Sequence, residues 1–515
     1  MKNIRDKLID FRNKLYTLFP LRKDAIFELM DVNSASYTSV SSVVHLSKSE
    51  FFTRQYPSIT DALTDGLEGA QWDDIQKLVW QTTQSEVKAP YHRFVVDCTP
   101  QDRLHAKTLD DRSIVHKANP APGNKPICAG HEYSTVVYVP PGSSESRKRW
   151  VVPLSTERVS SEQKGHEVGM NQVASLVKQL GLEDDFTVSI GDSAYATESC
   201  RKTASTVKEH VHIARLRNNR KVFELLPTQK NAKRRPKVYG EKMRLNDHAS
   251  FLPHDEEVVI PIESKKGVPL SLIIKGWNAV VFRGSRNFKA HQHPFRVIQV
   301  IVLNEHKKCV FKKPLWLAIF GAKRLALSLH ECVKNYRDRY DIEHYFRFGK
   351  QRLLMDSFQT YDTKHEENWW KLCALSYCQL YLSRELCRGT PEAWERYLPE
   401  FKQQDKMELV SAPFAQRGFS KLLSGIETPA QKPVPRGNSL GRKSGHEISK
   451  RVVKPIKFKK NATKIVPSNL SSTFEKKSVE TKPQNMSDIL EALNLMLKNI
   501  GISMENFCQF VENPI

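Results

Sequence analysis

The hydrophobic pattern at the amino terminus favours helices. Over residues 1–90 the apolar positions recur at three- and four-residue spacing with cations between them, as in KNIRDKLIDFRNKLYTLF. This spacing is typical of a helix that buries one face and leaves the other in water. No segment of this region reads as a strand. We therefore predict a helical amino-terminal region over residues 1–90.

From Arg93 the pattern changes to short runs of β-branched and aromatic residues. These runs are RFVVD, STVVYVP, RWVVPLS, FTVSIGD and HVHIARLR, with a helical stretch, NQVASLVKQLG, before the fourth. Runs of this length and composition predict strands, and a helix between them predicts an α/β unit. We assign residues 91–217 to the first part of an α/β core.

A second set of strand-like runs lies between residues 218 and 312. EEVVIPI, LSLIIKGW, AVVFRG and FRVIQVIVL are separated by turn residues, with no long helix among them. We predict a β-rich insertion over 218–312. PLWLAIFG then resumes a buried strand and helices follow, so residues 313–410 are predicted to form the second part of the core.

One predicted helix has an unusual polar face. Each helical residue advances about 100°, so Tyr336, Arg339, Glu343 and Lys350 fall within an arc of roughly 60°. The opposite side carries three apolar residues that predict a core-facing stripe: Ile342, Tyr345 and Phe348. The helix would then lie between a hydrophobic core and a ligand that requires one carboxylate and several donors.

The carboxy-terminal part of the chain divides into two segments. Residues 411–484 lose hydrophobic periodicity and fill with Lys, Arg, Pro, Ser and Gly, which predicts a flexible basic linker. Residues 485–515 include MSDILEALNLMLKNIG, whose apolar positions have helical spacing and predict a short amphipathic helix. That helix could dock on its own domain or contact a partner chain.

The charge of the chain indicates the class of its partner. The 515 residues include 80 Lys and Arg against 57 Asp and Glu, a formal net charge of +23. Such an excess favours a polyanion, with nucleic acid ahead of an anionic membrane surface. Neither a long apolar run nor a secretory signal is readable. We expect an intracellular, cytoplasmic protein that does not bind membranes.

The cysteines point to packing and not to metal or disulfide chemistry. There are nine, and none forms a C-x2-C pair, which argues against a disulfide framework and a zinc ribbon. Cys373, Cys378 and Cys387 lie in an apolar, aromatic segment. We expect them to be core residues, since free cysteine is among the most buried side chains.

Three acids suggest metal chemistry. Asp97 closes RFVVD and Asp192 closes FTVSIGD, so both lie at strand ends, and Glu343 lies on the helix described above. A single aspartate at such a position more often opens a turn or caps a helix. Together, however, three carboxylates supply the hard oxygen ligands that Mg²⁺ or Mn²⁺ prefers, and two such ions can clamp the attacking and leaving oxygens of a phosphodiester.

These residues resemble a known family. Tyr336-x2-Arg339-x3-Glu343-x6-Lys350 reproduces the Y-x2-R-x3-E-x6-K pattern of insertion-sequence DDE transposases, and Asp97 and Asp192 are similar to their first two acids. The resemblance covers roughly residues 93–352. It implies an RNase H-like core interrupted by the β-rich insertion. It also implies that the tyrosine, arginine and lysine hold DNA phosphates around the metal site.

Two further positions resemble DNA-contacting residues of that family. Trp316 precedes the catalytic helix where some members place a tryptophan that stacks on a flipped base, although a tryptophan in LWLAIF is equally suited to the core. Arg215 resembles an arginine that contacts the strand near the active site. With Arg217 and Arg220 it could instead form a general phosphate face.

The resemblance leads to a specific expectation. The protein would bind the terminal repeats of its element, with residues 1–90 contacting the DNA ends, and use two Mg²⁺ ions, with Mn²⁺ able to substitute. Water would first release a 3′-OH, which would then attack target DNA. We expect a homodimer in the DNA complex and association with the nucleoid. The alternatives are a nuclease of the same fold without strand transfer, and a non-catalytic DNA-binding protein derived from a transposase.

Overall fold

The computed structural model describes most of the chain up to residue 458. The described ranges are 4–36, 40, 42–84, 89–117, 126–141, 150–227, 237–264, 266–284, 289–387, 410–434, 441, 443–447 and 450–458. All of them except residue 458 belong to the unit Met1–Lys457. The amphipathic helix predicted over 485–515 lies outside the described residues, as do several parts of the predicted linker, including 459–484.

Ten α-helices are present in the described ranges. They are α1 (Ile4–Thr17), α2 (Lys23–Ala35), α3 (Pro57–Asp61), α4 (Trp72–Thr83), α5 (Gly165–Gln179), α6 (Glu198–Thr206), α7 (Leu329–Asp338), α8 (Asp341–Arg352), α9 (Thr363–Ser383) and α10 (Ala412–Leu423). Shorter helical turns occur at Val43–Lys48, Ala62–Gly66, Ser193–Tyr195, His248–Ser250 and Ala290–Gln292.

The amino-terminal helices share their core with α9. Every residue of α2 from Ala25 to Ala35 is buried, because the helix packs against both α1 and α9. The buried Arg12 of α1 donates to Asp31 of α2 at 2.6 Å and to Gln379 of α9 at 2.6 Å. A buried arginine of this kind requires such partners. The amino-terminal helices are therefore bound to the rest of the fold through one continuous core.

Twelve strands form one mixed sheet. They are β1 (His92–Asp102), β2 (Ser113–His116), β3 (Ile127–Tyr138), β4 (Val152–Val159), β5 (Thr187–Gly191), β6 (His210–Leu216), β7 (Lys221–Leu225), β8 (Tyr239–Arg244), β9 (Glu256–Glu263), β10 (Pro269–Val281), β11 (Phe295–Asn304) and β12 (Leu315–Phe320). The strands predicted from the β-branched runs are confirmed, with LSLIIKGW and AVVFRG contributing to the same strand, β10.

The centre of the sheet is parallel and its flanks are antiparallel. The order β4–β3–β1–β5–β6 places β1, β5 and β6 side by side and parallel, with Val95 opposite Ile190 and Gly191 opposite Ala214. β3 runs antiparallel to β1. This arrangement is compatible with an RNase H-like core. It brings the carboxyl ends of β1, β5 and β6 to one edge of the sheet.

The region predicted as a β-rich insertion extends the same sheet. β11 pairs with β12 and β10, and β10 in turn pairs with β9 and β7, all antiparallel. A register shift between Trp277 and Val280 marks an irregularity in β10. Such irregularities bend a strand and locally increase its twist.

The start of the segment predicted as a flexible linker is ordered. Residues Ala412–Leu423 form α10, whose Phe419 is buried, and the helix packs against α2 and α9. Farther along, Lys457 N donates to Arg112 O at 2.7 Å and Lys454 N to Lys107 O at 2.8 Å. The linker prediction is therefore wrong for these parts, because long-range packing orders a sequence whose local composition favours disorder.

Candidate active site

Asp97 lies in the middle of β1 and not at its end, so the predicted strand end is wrong: beyond Val95 the strand leaves β5 but continues to Asp102 paired with β3. The preceding residues, Phe94, Val95 and Val96, are buried, which fixes the strand against the core. The side chain of Asp97 is only 19% exposed, and its Oδ1 accepts a hydrogen bond from Cys98 N at 2.9 Å. The carboxylate is thus held in a defined position at a partly enclosed edge.

Asp192 follows β5 on the same edge. Its Oδ1 accepts from Ala194 N at 2.7 Å and caps the helical turn that follows, a role suited to aspartate. The turn is tight, since a Cβ placed on Gly191 would lie 2.6 Å from Cβ and Cγ of Tyr195. Glycine is therefore required immediately before the acid. The turn fixes the direction in which Asp192 leaves the strand.

Residues 336–350 do not form one continuous α-helix. α7 ends at Asp338 and α8 begins at Asp341. At the junction Glu343 N donates to Tyr340 O at 3.1 Å, the i→i+3 pattern of a 3₁₀ turn. The single-helix prediction is wrong at this point, although the predicted core stripe of Ile342, Tyr345 and Phe348 is confirmed as buried.

Arg339 connects two of the three acids. Its Nη1 donates to Asp97 Oδ2 at 3.1 Å and its Nη2 donates to Glu343 Oε1 at 3.0 Å. A guanidinium presents donors in a fixed planar fork, which suits it to contact two carboxylates at once. Asp338 beside it pairs with Arg93 at 2.8 Å. Arg339 is therefore part of the acidic site.

The pKa shifts at this edge link all three acids to Arg339. Burial raises the pKa of Asp97 to about 7; Asp192 and Glu343 add to this rise, whereas Arg339 opposes it. Burial alone would lower the pKa of Arg339, but Asp97, Tyr336 and Glu343 outweigh it and raise that pKa. Charge interactions weaken with distance, so these mutual effects indicate that the acids and Arg339 lie near one another. The carboxyl edge therefore carries a cluster of acids around one partly buried arginine.

The other predicted DNA contacts surround this cluster. The Arg339 guanidinium lies 5.9 Å from the centre of the Tyr336 ring, and burial raises the pKa of Tyr336 while Arg339 and Arg215 oppose the rise. Arg215 is exposed near the end of β6. Tyr336, Arg339 and Arg215 thus lie together. Lys350 lies farther along α8, where its Nζ donates to Pro100 O at 2.5 Å.

Trp316 is placed in the core. It is fully buried on β12, with its ring centre 5.6 Å from that of Trp277 and 5.4 Å from that of Phe251. A side chain enclosed on this scale has no face available for a nucleotide base. The base-stacking prediction for Trp316 is therefore wrong for this structure, and the core alternative holds.

The surroundings of Lys350 were not predicted from the sequence. Its Nζ lies 6.0 Å from the Trp370 ring, and Trp370 Nε1 donates to Gln101 Oε1 at 2.7 Å. Burial lowers the pKa of Lys350. No signal in the sequence links these residues, because Gln101 and Trp370 lie far apart in the chain. They support Lys350 from β1 and α9.

The donor set suits a hard divalent cation, but its ligands are not gathered into a closed metal site. Carboxylate oxygens are the ligands that Mg²⁺ and Mn²⁺ prefer. Within the described ranges, however, no three His, Cys, Asp or Glu side chains are grouped closely enough to hold an ion together. The ligand chemistry is therefore present at Asp97, Asp192 and Glu343. Direct coordination by all three would need some rearrangement.

Comparisons with known families agree with this geometry. The family described as DDE superfamily endonuclease matches residues 14–258, which include Asp97 and Asp192. The family described as transposase DDE domain matches residues 158–379, which include Asp192 and Glu343. The two matches together span residues 14–379 and support a DDE transposase. These families imply an enzyme of the nuclease type, and transposase DDE domains generally depend on divalent metal ions.

Two further searches gave negative results. A search of curated proteins found no match to the chain. Across the described part of the chain, no helix combines the length and apolar character needed to span a bilayer.

Proposed function

We propose that this DDE transposase binds the ends of an insertion sequence, cleaves phosphodiester bonds there and joins the released 3′ ends to target DNA. The observation that carries the proposal is the clustering of Asp97, Asp192 and Glu343 at the carboxyl edge of β1 and β5, with Arg339 between two of them. We also propose that it belongs to the Y-x2-R-x3-E-x6-K branch, which the motif that includes Tyr336 and Lys350 supports.

The three carboxylates are the residues that would hold divalent cations. We infer two Mg²⁺ ions, with Mn²⁺ able to substitute, since the donor set is all oxygen. When bound, the ions would activate the attacking oxygen and stabilise the leaving oxygen of an in-line displacement. Asp97 and Asp192 are fixed by backbone hydrogen bonds from Cys98 and Ala194, so the chain itself orients these two ligands.

The cations at this edge would position the DNA strand. Arg339 is held by Asp97 and Glu343, and its planar fork also suits a phosphate. The exposed Arg215 and the half-buried Tyr336 lie beside it and would contact the neighbouring phosphates. Lys350 would stabilise the same strand from α8. Correct alignment of a phosphodiester with the acids contributes strongly to the rate of cleavage.

Replacement of the acids tests the proposal. Asp97→Asn, Asp192→Asn and Glu343→Gln should each abolish Mg²⁺-dependent cleavage of labelled element ends while leaving DNA binding largely intact. Asp184→Asn is the matched control, because Asp184 is exposed on the loop before the amino end of β5, at the opposite edge. Equal loss of binding and cleavage in the three variants would show that the acids are structural.

The products on the same gel separate the alternatives. Nicks or breaks without joined products would indicate a nuclease that lacks strand transfer. Binding without any cleavage would indicate a DNA-binding derivative of a transposase. Joined products would support the transposase.

We also propose a setting for the activity. The protein would act as a homodimer on double-stranded DNA, with residues 1–90 contributing to recognition of the element ends. It would be cytoplasmic and associated with the nucleoid while bound to DNA. The net charge of +23 supports a DNA partner, because it favours contact with phosphates.

A further inference from the structure

An exposed basic and apolar loop joins β11 to β12. It comprises residues 305–313 and is called the 305–313 loop below. Its exposed side chains include four lysines and two large apolar residues: Lys307, Lys308, Lys312, Lys313, Val310 and Phe311. Phe311 is 65% exposed. Phe311 and the adjacent Val310 form a small exposed apolar patch flanked by lysines, an arrangement that fits contact with a partner.

Strand register places this loop beyond the same edge as the acids. β12 runs antiparallel to β6 and β11 runs antiparallel to β12, so β11 runs in the direction of β6 and ends at the edge where β1, β5 and β6 end. Arg215 is opposite Leu317, which is opposite Ile298. From Ile298, β11 continues to Asn304, roughly 20 Å farther at about 3.3 Å per residue.

The base of the loop is held by hydrogen bonds. Val310 N donates to Val302 O at 2.8 Å, and Lys308 N donates to Asn304 Oδ1 at 2.9 Å. Lys307 adopts a left-handed φ of 54°, which turns the chain at the tip. These hydrogen bonds therefore hold the end of β11 and the turn that follows it in a defined conformation. Phe311 lies after this turn, where the chain returns toward β12, and its side chain is exposed to solvent.

We propose that the 305–313 loop binds double-stranded DNA several base pairs from the phosphodiester that the acids cleave, which rests on the proposed function. The lysines contact phosphates, and the ring of Phe311 packs on sugars or bases of the same DNA. Lysine contacts supply salt-dependent affinity, whereas an aromatic contact is largely independent of salt. A span of roughly 20 Å corresponds to about six base pairs at about 3.4 Å each.

Charge distinguishes DNA from the other occupant to consider, a second copy of this chain. The loop carries four lysines against one acid, Glu305, and the chain has a net charge of +23. Contact with another copy would bring like charges together, whereas DNA would neutralise them. Phe311 also provides an exposed aromatic surface near this edge of the sheet. The buried Trp316 provides no such surface.

Binding of a fluorescein-labelled mixed-sequence duplex across a salt series tests the proposal. Phe311→Ala should weaken binding at least about fivefold with an unchanged salt slope, and Phe311→Tyr should restore it. Lys312→Gln/Lys313→Gln should weaken binding and flatten the slope by about 0.9 for each lost phosphate contact. Binding is measured without Mg²⁺, so that it is independent of cleavage.

Matched controls lie at the opposite edge of the sheet. Leu325→Ala removes a large side chain that is 52% exposed in the segment after β12, and Lys178→Gln/Lys208→Gln removes two exposed lysines at the end of α5 and before β6. These variants should bind as the unmodified protein does. Weakening equal to that of the loop variants would overturn the proposal in favour of general charge attraction.

Parallel cleavage assays separate failure of this inference from failure of the proposed function. Wild-type affinity and salt slope in the loop variants would overturn the inference even if the protein cuts DNA in an Asp97-dependent manner. A change in sedimentation without a change in DNA binding would also overturn it, in favour of a contact between copies. Weakened binding with no cleavage by the unmodified protein would support the surface and reject the transposase function.

Discussion

The contacts of Arg339 with Asp97 and Glu343 predict a graded loss of stability and activity on substitution. Arg339→Ala removes both hydrogen bonds, at 3.1 and 3.0 Å. Arg339→Lys keeps the charge, but its single nitrogen lacks the fork that reaches both carboxylates. We therefore expect the lysine variant to be intermediate between the alanine variant and the unmodified protein.

The solvent exposure of the three side chains determines how much each hydrogen bond should contribute to the free energy of unfolding. Arg339 is 15% exposed and Asp97 19%, so this charged hydrogen bond should contribute about 1.5–3 kcal/mol. Glu343 is 38% exposed, so its bond should contribute less than about 1 kcal/mol. Arg339→Ala should thus lower the free energy of unfolding by about 2–4 kcal/mol, and Arg339→Lys by about 1–2 kcal/mol.

The expected loss of activity exceeds the effect of unfolding. Displacement of the acids or the DNA strand by about an ångström costs on the order of a hundredfold in rate. Single-turnover cleavage of a pre-bound DNA end at saturating Mg²⁺, under conditions where each variant is folded, should therefore fall about a hundredfold for Arg339→Ala. Urea unfolding in EDTA supplies the matching stabilities.

Arg347→Lys is the control for the effect of replacing an arginine by lysine in this part of the chain. Arg347 lies on α8 and is exposed, so its replacement should change neither unfolding nor cleavage. Unmodified stability in Arg339→Ala would refute the carboxylate contacts. Unmodified single-turnover rates would instead refute the idea that Arg339 organises the site.

Three further predictions concern the buried parts of the fold. Trp316→Ala should lower the free energy of unfolding by about 3–5 kcal/mol in urea because it removes a core side chain, and an unchanged stability with lost DNA binding would contradict the core assignment. Glu366→Gln should cost about 3–5 kcal/mol in the same assay because buried Arg103 would lose its charged partner; a stability near that of the unmodified protein would argue against this network. Burial lowers the pKa of His210 to about 3 and of His212 to about 4, so the unfolded chain takes up protons below about pH 6.5 while the folded protein does not. The free energy of unfolding should therefore fall from about pH 6.5 toward about pH 4 by up to about 1.4 kcal/mol per pH unit for each histidine, and His210→Gln should show a shallower pH dependence.

The sequence alone determined most of the local elements and predicted the candidate site residues that they carry. β-branched runs predicted the strand that contains Asp97 and the strand that Asp192 follows, because strand burial leaves a local pattern of side chains. The spacing of Tyr336, Arg339, Glu343 and Lys350 predicted the third acid and its cationic neighbours. The core positions of Cys373 and the other two cysteines of that segment were also predicted, since apolar surroundings indicate burial.

Only the tertiary structure decided which of these residues meet. The contact of Arg339 with Asp97 joins residues far apart in the chain, and it depends on the 3₁₀ turn between α7 and α8. Trp316 had two equally suitable roles until packing against Trp277 and Phe251 enclosed it. α10 formed within a segment of disorder-like composition because α2 and α9 provide a surface for it. Local pattern sets whether a residue prefers burial, whereas long-range packing selects its neighbours and therefore its function.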